Sequence, residues 1–101
     1  MITRYWKGIT YPDKADNYEW HLNKDTLPIL REISGFVGMQ ILRREVSTGI
    51  EFLILTTWES MEAIYAFAGG NCELAVVPDK AKAMMVSYDQ RVIHYSLTHH
   101  D

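Results

Sequence analysis

Residues 50–67 read IEFLILTTWESMEAIYAF, and this stretch decides how the chain folds. Phe52, Leu53, Ile54 and Leu55 run without a polar interruption, so a strand here needs apolar cover on both faces. One layer of helices covers only one face of a sheet. A second copy of the chain would cover the other, and the run therefore points to a dimer. Ser60 stands where a helix N-cap belongs, with Glu62 in the first turn to complement the amide dipoles. Ala63, Ile64 and Phe67 follow at helical spacing. Trp58 falls just before the cap, at the lip of the space between strand and helix.

Upstream, residues 2–10 alternate and are rich in β-formers, which predicts a first strand. Pro12 and Asp13 then favour a helix start, and an approximate helical stripe runs from Ala15 through Tyr18 and Leu22 to Ile33. Pro28 interrupts that stripe, so a kink or a break into two segments is expected there. Ser34 and Gly35 end the helix. Residues 36–46 read as a second strand, and Ser47, Thr48 and Gly49 return the chain directly into the third, forming an antiparallel hairpin. The second helix stops at Gly69 and Gly70. A short helical segment is expected over residues 71–77, ending at Pro78, with another turn or two over 79–85. Residues 91–98 alternate as a fourth strand. The order strand, helix, strand, strand, helix, strand is that of a ferredoxin-like α+β domain, a four-stranded antiparallel sheet with helices on one face.

With 101 residues, 48% of them hydrophobic, the chain is expected to form one domain over residues 1–101. A net charge of −3 from interspersed acids and bases gives no basic stripe for a phosphate backbone, which sets nucleic acid aside as a partner. No apolar run reaches membrane-spanning length, and MITRYWKG lacks the apolar segment of a signal peptide. No membrane association and a cytoplasmic location are the corresponding expectations. Cys72 is the single cysteine, which rules out an internal disulfide. Phosphate-loop, dinucleotide and nucleophile-elbow motifs are missing. The terminal His99, His100 and Asp101 resemble a metal cluster only superficially, so no metal and no cofactor are expected.

Taken together, ITRYWKGIT, PDKADNYEW, TLPILREISGFVGMQILRRE, LTTWESMEAIYAFAG and VIHYSL resemble the antibiotic-biosynthesis-monooxygenase-like family of dimeric α+β barrel proteins. The resemblance implies a homodimer whose two sheets face one another, with helices outside. It also implies an aromatic-lined pocket between sheet and helices, with a tryptophan just after the third strand. Trp58 in TTWES matches that position. Characterised relatives include cofactor-independent oxygenases that convert polycyclic phenols to quinones and enzymes that degrade haem. The haem-degrading branch has an asparagine on its first strand and a histidine ligand on its later helix. Neither is present here, because the first strand has no asparagine and residues 71–77 have no histidine.

Two residues are the catalytic candidates. Trp58 either packs against a flat substrate, its N–H orienting an oxygen, or plugs the end of the core. His94 lies mid-strand in VIHYSL, on the side of Val92 and Ser96. It either takes the proton from a phenol, for which an imidazole's ordinary pKa near 6.5 is suited, or is satisfied by a neighbour or the dimer interface. Trp6, Trp20, His21, Tyr65 and Phe67 are the candidate substrate-binding residues. Arg43 and Arg44 point to opposite faces of their strand, so salt bridges are their expected role. The functional expectation is a cofactor-independent monooxygenase acting on a small aromatic or polyphenolic substrate. The alternative is a non-catalytic dimeric binder of a small hydrophobic ligand.

Overall fold

The computed structural model describes residues 1–101. Strand β1 (Ile2–Thr10) pairs antiparallel with β3 (Gly49–Trp58) along its whole length, from Ile2 opposite Trp58 to Thr10 opposite Ile50. β2 (Phe36–Val46) returns into β3 through the two-residue turn of Ser47 and Thr48, with Leu42 opposite Leu53. The order across the sheet is β2, β3, β1, and the fourth position is shared by two short strands, β4 (Met85–Tyr88) and β5 (Ile93–Ser96). Both run antiparallel to β1. The α+β ferredoxin-like arrangement read from the sequence is the one observed.

Three local expectations are corrected. The fourth position is not one strand over residues 91–98: β5 covers only Ile93–Ser96, and β4 (Met85–Tyr88), not expected from the sequence, precedes it, the register jumping from Gly8 opposite Tyr88 to Tyr5 opposite Ile93. Four residues, 89–92, thus face only Trp6 and Lys7, and the strand splits in two. Residues 71–77 form no helix. Leu74 bridges to Arg91, the Ala75 N–H donates to the Gln90 carbonyl at 2.9 Å, and the Val92 N–H donates to Glu73 at 2.8 Å. Backbone partners in the bulged stretch replace the helical ones that a segment fenced by Gly70 and Pro78 is too short to secure. The first helix changes its winding one turn earlier than Pro28. It consists of a 3-10 turn (Pro12–Lys14), α1 (Ala15–His21), a π-helical turn (Leu22–Thr26) and α2 (Leu27–Arg31). Pro28 then occupies the first turn of α2, where its missing N–H is no loss. The wide turn before it keeps its ring from colliding with the preceding carbonyls.

α3 (Met61–Ala68) starts at Ser60, whose hydroxyl accepts the Ala63 N–H at 3.3 Å, and ends at Gly69 with φ 81°. A short α4 (Asp79–Lys82) follows Pro78. The helices cover one face of the sheet. On that face Phe52, Ile54, Thr56 and Trp58 of β3 are buried, whereas Glu51, Leu53, Leu55 and Thr57 on the other are only half-buried. Phe52 and Ile54 pack with Ala15, Tyr18 and Leu22, while Trp58 packs with Leu30, Ala63 and Ile64.

Where β1 ends, the backbone of β3 comes close. A Cβ on Gly49 would lie 2.0 Å from the Thr10 carbonyl oxygen, so only glycine fits. The Thr10 side chain is sealed in the same corner, and its Oγ1 has no partner. A buried hydroxyl without a hydrogen bond is destabilising by about 1–3 kcal/mol. Thr10→Val keeps the shape and removes that penalty. Its melting temperature is expected to rise by roughly 4–8 °C per kcal/mol recovered, measured by calorimetry; an unchanged or lower value would show that the hydroxyl is satisfied.

Candidate functional site

A cavity of about 340 Å³ lies between the inner face of the sheet and the helical layer. Twelve of its seventeen lining residues are hydrophobic, so an occupant must be largely apolar. Met39, Ile54 and Thr56 form part of its sheet side. His21, Leu22, Thr26, Ile29 and Leu30 close it from the first helix, and Val76, Val77, Pro78 and Ala81 form the opposite wall. Trp6 lines it from β1. Its ring lies across Gly8, where a Cβ would meet the indole at 2.6 Å, and its Nε1 donates to the Asp89 carbonyl at 2.9 Å. The glycine and the bulged carbonyl together lock the indole in the cavity wall.

The π turn positions the polar end. His21 is the last residue of α1, and Asp25 sits one turn on within the widened stretch. π turns occur frequently at functional sites because they re-aim side chains. His21 Nδ1 and Asp25 Oδ2 are 2.9 Å apart, and Lys80 Nζ donates to the same oxygen at 3.1 Å. Hydrogen bonds from Lys80 and then His21 hold the Asp25 carboxyl below its ordinary range. Asp25 is therefore an ionised acceptor for the Nδ1–H of His21, which leaves Nε2 as the ring nitrogen without a partner in the chain. The His21 residue is only 4% exposed and lines the cavity, and its Nε2 has no hydrogen-bond partner in the chain. Tyr18 stands beside it with ring centroids 6.3 Å apart. Burial pushes the Tyr18 phenol well up, so its hydroxyl stays protonated as a donor on the cavity wall.

Arg4 is the charged residue that the sequence reading missed. It lies on the inner face of β1, is 4% exposed and lines the cavity. Its Nη1 donates to the Cys72 carbonyl and lies 2.9 Å from His94 Nε2, while Nη2 donates to the Leu74 carbonyl at 3.1 Å. The guanidinium also stacks over Phe67, 5.7 Å from the ring centroid. An arginine in an alternating strand reads as a surface residue, and only the three-dimensional closure of residues 72–74 over it gives the signal.

Of the expected site residues, the structure brings Trp6, His21 and Phe67 to the cavity wall. Trp58 is not on it. The indole is fully buried, stacked on Phe67 at 5.6 Å, edge-on to Phe36 at 5.2 Å, and its Nε1 donates to Thr56 Oγ1 at 2.9 Å. Its N–H is thus already used, and Trp58 backs the cavity-lining Thr56, Phe67 and Leu30 from behind. His94 faces the helical side, as alternation requires, but lies behind Arg4 with Nε2 accepting from the guanidinium. Trp20 is 57% exposed on the outside, with Lys80 6.0 Å from its ring, and Tyr65 is 47% exposed. Both lie away from the cavity, because each occupies the outward side of its helix. Arg43 pairs with Asp16 and Glu19, and Arg44 pairs with Glu51. No group of three His, Cys, Asp or Glu side chains converges to hold a metal ion.

The family model described as antibiotic biosynthesis monooxygenase matches residues 3–71. A crystal structure of a Bacillus cereus protein, provisionally described as an antibiotic biosynthesis monooxygenase, superposes with a TM-score of 0.69. It shares 16% identity, over 100% of this chain and 94% of that one. An MhuD variant, crystallised with two manganese protoporphyrin IX molecules per active site, superposes with a TM-score of 0.64. Its identity is 21%, over 100% of this chain and 98% of that one. At these identities the likeness establishes the fold. None of the curated proteins matches the sequence. Residues 71–77 carry no histidine and are not helical.

Burial first, and the Arg4 charge next, hold His94 below its ordinary pKa, with Glu73 opposing. A histidine whose folded pKa is depressed contributes stability that is complete above the unfolded value near 6.5. That stability is lost as pH falls from there towards the folded value. Urea midpoints are expected to drop across this window in the wild type, ahead of the carboxylate titrations, and to drop less in His94→Gln. Equal slopes in the two proteins would refute the assignment.

Proposed function

The chain belongs to the antibiotic biosynthesis monooxygenase family, and from that premise we propose that it is a cofactor-independent monooxygenase acting on a small aromatic or polyphenolic substrate in the cavity between sheet and helices. The observation that carries this reading is the His21 imidazole. It lines an apolar cavity with Nε2 unpartnered in the chain while Asp25 holds its other nitrogen. A base buried in apolar surroundings, oriented by a carboxylate, is the arrangement that removes a proton from a bound phenol.

The substrate is a phenol with a free ring carbon that can become a quinone carbonyl. His21 Nε2 accepts the phenolic proton, and negative charge spreads onto the ring carbon. That carbon passes one electron to molecular oxygen. The resulting radical pair combines into a peroxide anion, which takes the proton back from the His21 imidazolium to become a hydroperoxide. Loss of the ring C–H proton and of hydroxide then yields the quinone and one water, so that phenol plus O₂ gives quinone plus H₂O. Neutral His21 takes the ring C–H proton, and the imidazolium so formed delivers it to the departing hydroxide. Asp25 stabilises that imidazolium, and Tyr18 and Thr56 are placed to donate hydrogen bonds to the substrate's oxygens. The apolar walls exclude water from the carbanion-like intermediate.

The same reading includes a homodimer built on the outer face of the sheet. Leu42, Ile93 and Tyr95 are exposed there, beside half-buried Tyr5, Leu53 and Leu55. A contiguous apolar face of this kind is unusual on a monomer. A reducing, cytoplasmic setting suits the unpaired Cys72.

Oxygen uptake with naphthols and anthrones is the direct test, with one quinone expected per O₂ consumed. His21→Ala is expected to lower kcat by about 10²–10⁴-fold. Asp25→Asn should lower it less. Binding of these compounds without any oxygen uptake would instead make the protein a dimeric ligand binder. Light scattering on a sizing column is expected to give twice the 11.7 kDa chain mass, and Leu53→Glu to give the monomer. A wild-type monomer at micromolar concentration would remove the dimer from the proposal.

A further inference from the structure

The geometry points to an anion-binding subsite at Arg4, so that the aromatic occupant of the cavity carries an acidic group, most simply a carboxylate on the ring. This rests on the phenol-oxidising reading only for the identity of the ring; the acid requirement comes from Arg4 itself.

A guanidinium withdrawn from water to this extent is costly unless an anion accompanies it, and arginines in protein interiors are normally paired. Arg4 has no carboxylate partner. The ion pairs of the chain use Arg43, Arg44, Arg91, Lys80, Lys82 and His21, and none includes Arg4. Glu73, in the segment that covers Arg4, pairs with Arg91 at 3.3 Å instead. No Asp or Glu lines the cavity, so the positive charge there has no fixed counter-charge.

The donors are also incompletely used. Arginine has five N–H groups, and here three hydrogen bonds account for Cys72, Leu74 and His94. Nε finds no acceptor in the chain, and Arg4 lines the cavity. The stack on Phe67 and the two carbonyls fix the plane of the guanidinium before any ligand arrives. A rigid planar donor in apolar surroundings matches a carboxylate well. A phenol facing His21 and an acid facing Arg4 then occupy different positions on one ring system, which gives the substrate a single orientation.

The test is calorimetric binding of 1-hydroxy-2-naphthoate and of its carboxamide, which has the same shape without the charge. The wild type is expected to bind the acid at least tenfold more tightly than the amide. That ratio should fall to near one in Arg4→Gln and remain partly in Arg4→Lys, with circular dichroism confirming the fold. A wild-type ratio near one, or no binding of either compound, overturns the proposal without any variant. So does a ratio that persists in folded Arg4→Gln. A tenfold preference without oxygen uptake upholds the subsite and rejects the oxygenase reading; uptake of oxygen with neutral naphthols and a ratio near one does the reverse.

Discussion

Arg4 ties together parts of the chain that have no other reason to meet. Its guanidinium joins the carbonyls of Cys72 and Leu74, the ring of Phe67 and the imidazole of His94, all from the second half of the sequence, to the first strand. A buried cation costs several kcal/mol in lost hydration, and it is tolerated only where hydrogen bonds replace most of the water. Residues 72–74 provide that replacement, and in doing so they give up any chance of being helical. The wall of the cavity continues directly from them through Val76, Val77 and Pro78. The requirement to satisfy one side chain therefore shapes the space in which a ligand sits.

The sheet divides its two faces between different tasks. The inner face carries Arg4, Trp6, Thr56 and Trp58 in a common register, and the burial there supplies both the core and the site. Trp58 anchors this arrangement from behind, stacking on Phe67 and orienting Thr56. On the outer face the half-buried Leu53 and Leu55 leave apolar surface uncovered by anything in the chain.

The first three strands and α3 were legible because their signals are local. Alternation set the limits of β1, the apolar run marked β3, and the Ser60 cap fixed the start of the helix. The stretch after Gly70 was not legible, since its backbone partners lie at residues 90–92 and no local periodicity records them. The aromatic inventory separated only in part. Trp6 and Phe67 line the cavity, whereas Trp20 and Tyr65 lie on the outward sides of their helices. His94 was assigned to the correct side of its strand, but its partner could not be foreseen, because an arginine at position 4 carries no mark of burial.

The π turn has a consequence for how relatives of this chain should be compared. A π turn holds one residue more than the α-helical path it replaces, so it is the trace of a single insertion within an otherwise regular helix. Each residue advances an α-helix by about 100°, so a relative without the insertion presents a different part of its helix to the cavity than the part that bears His21.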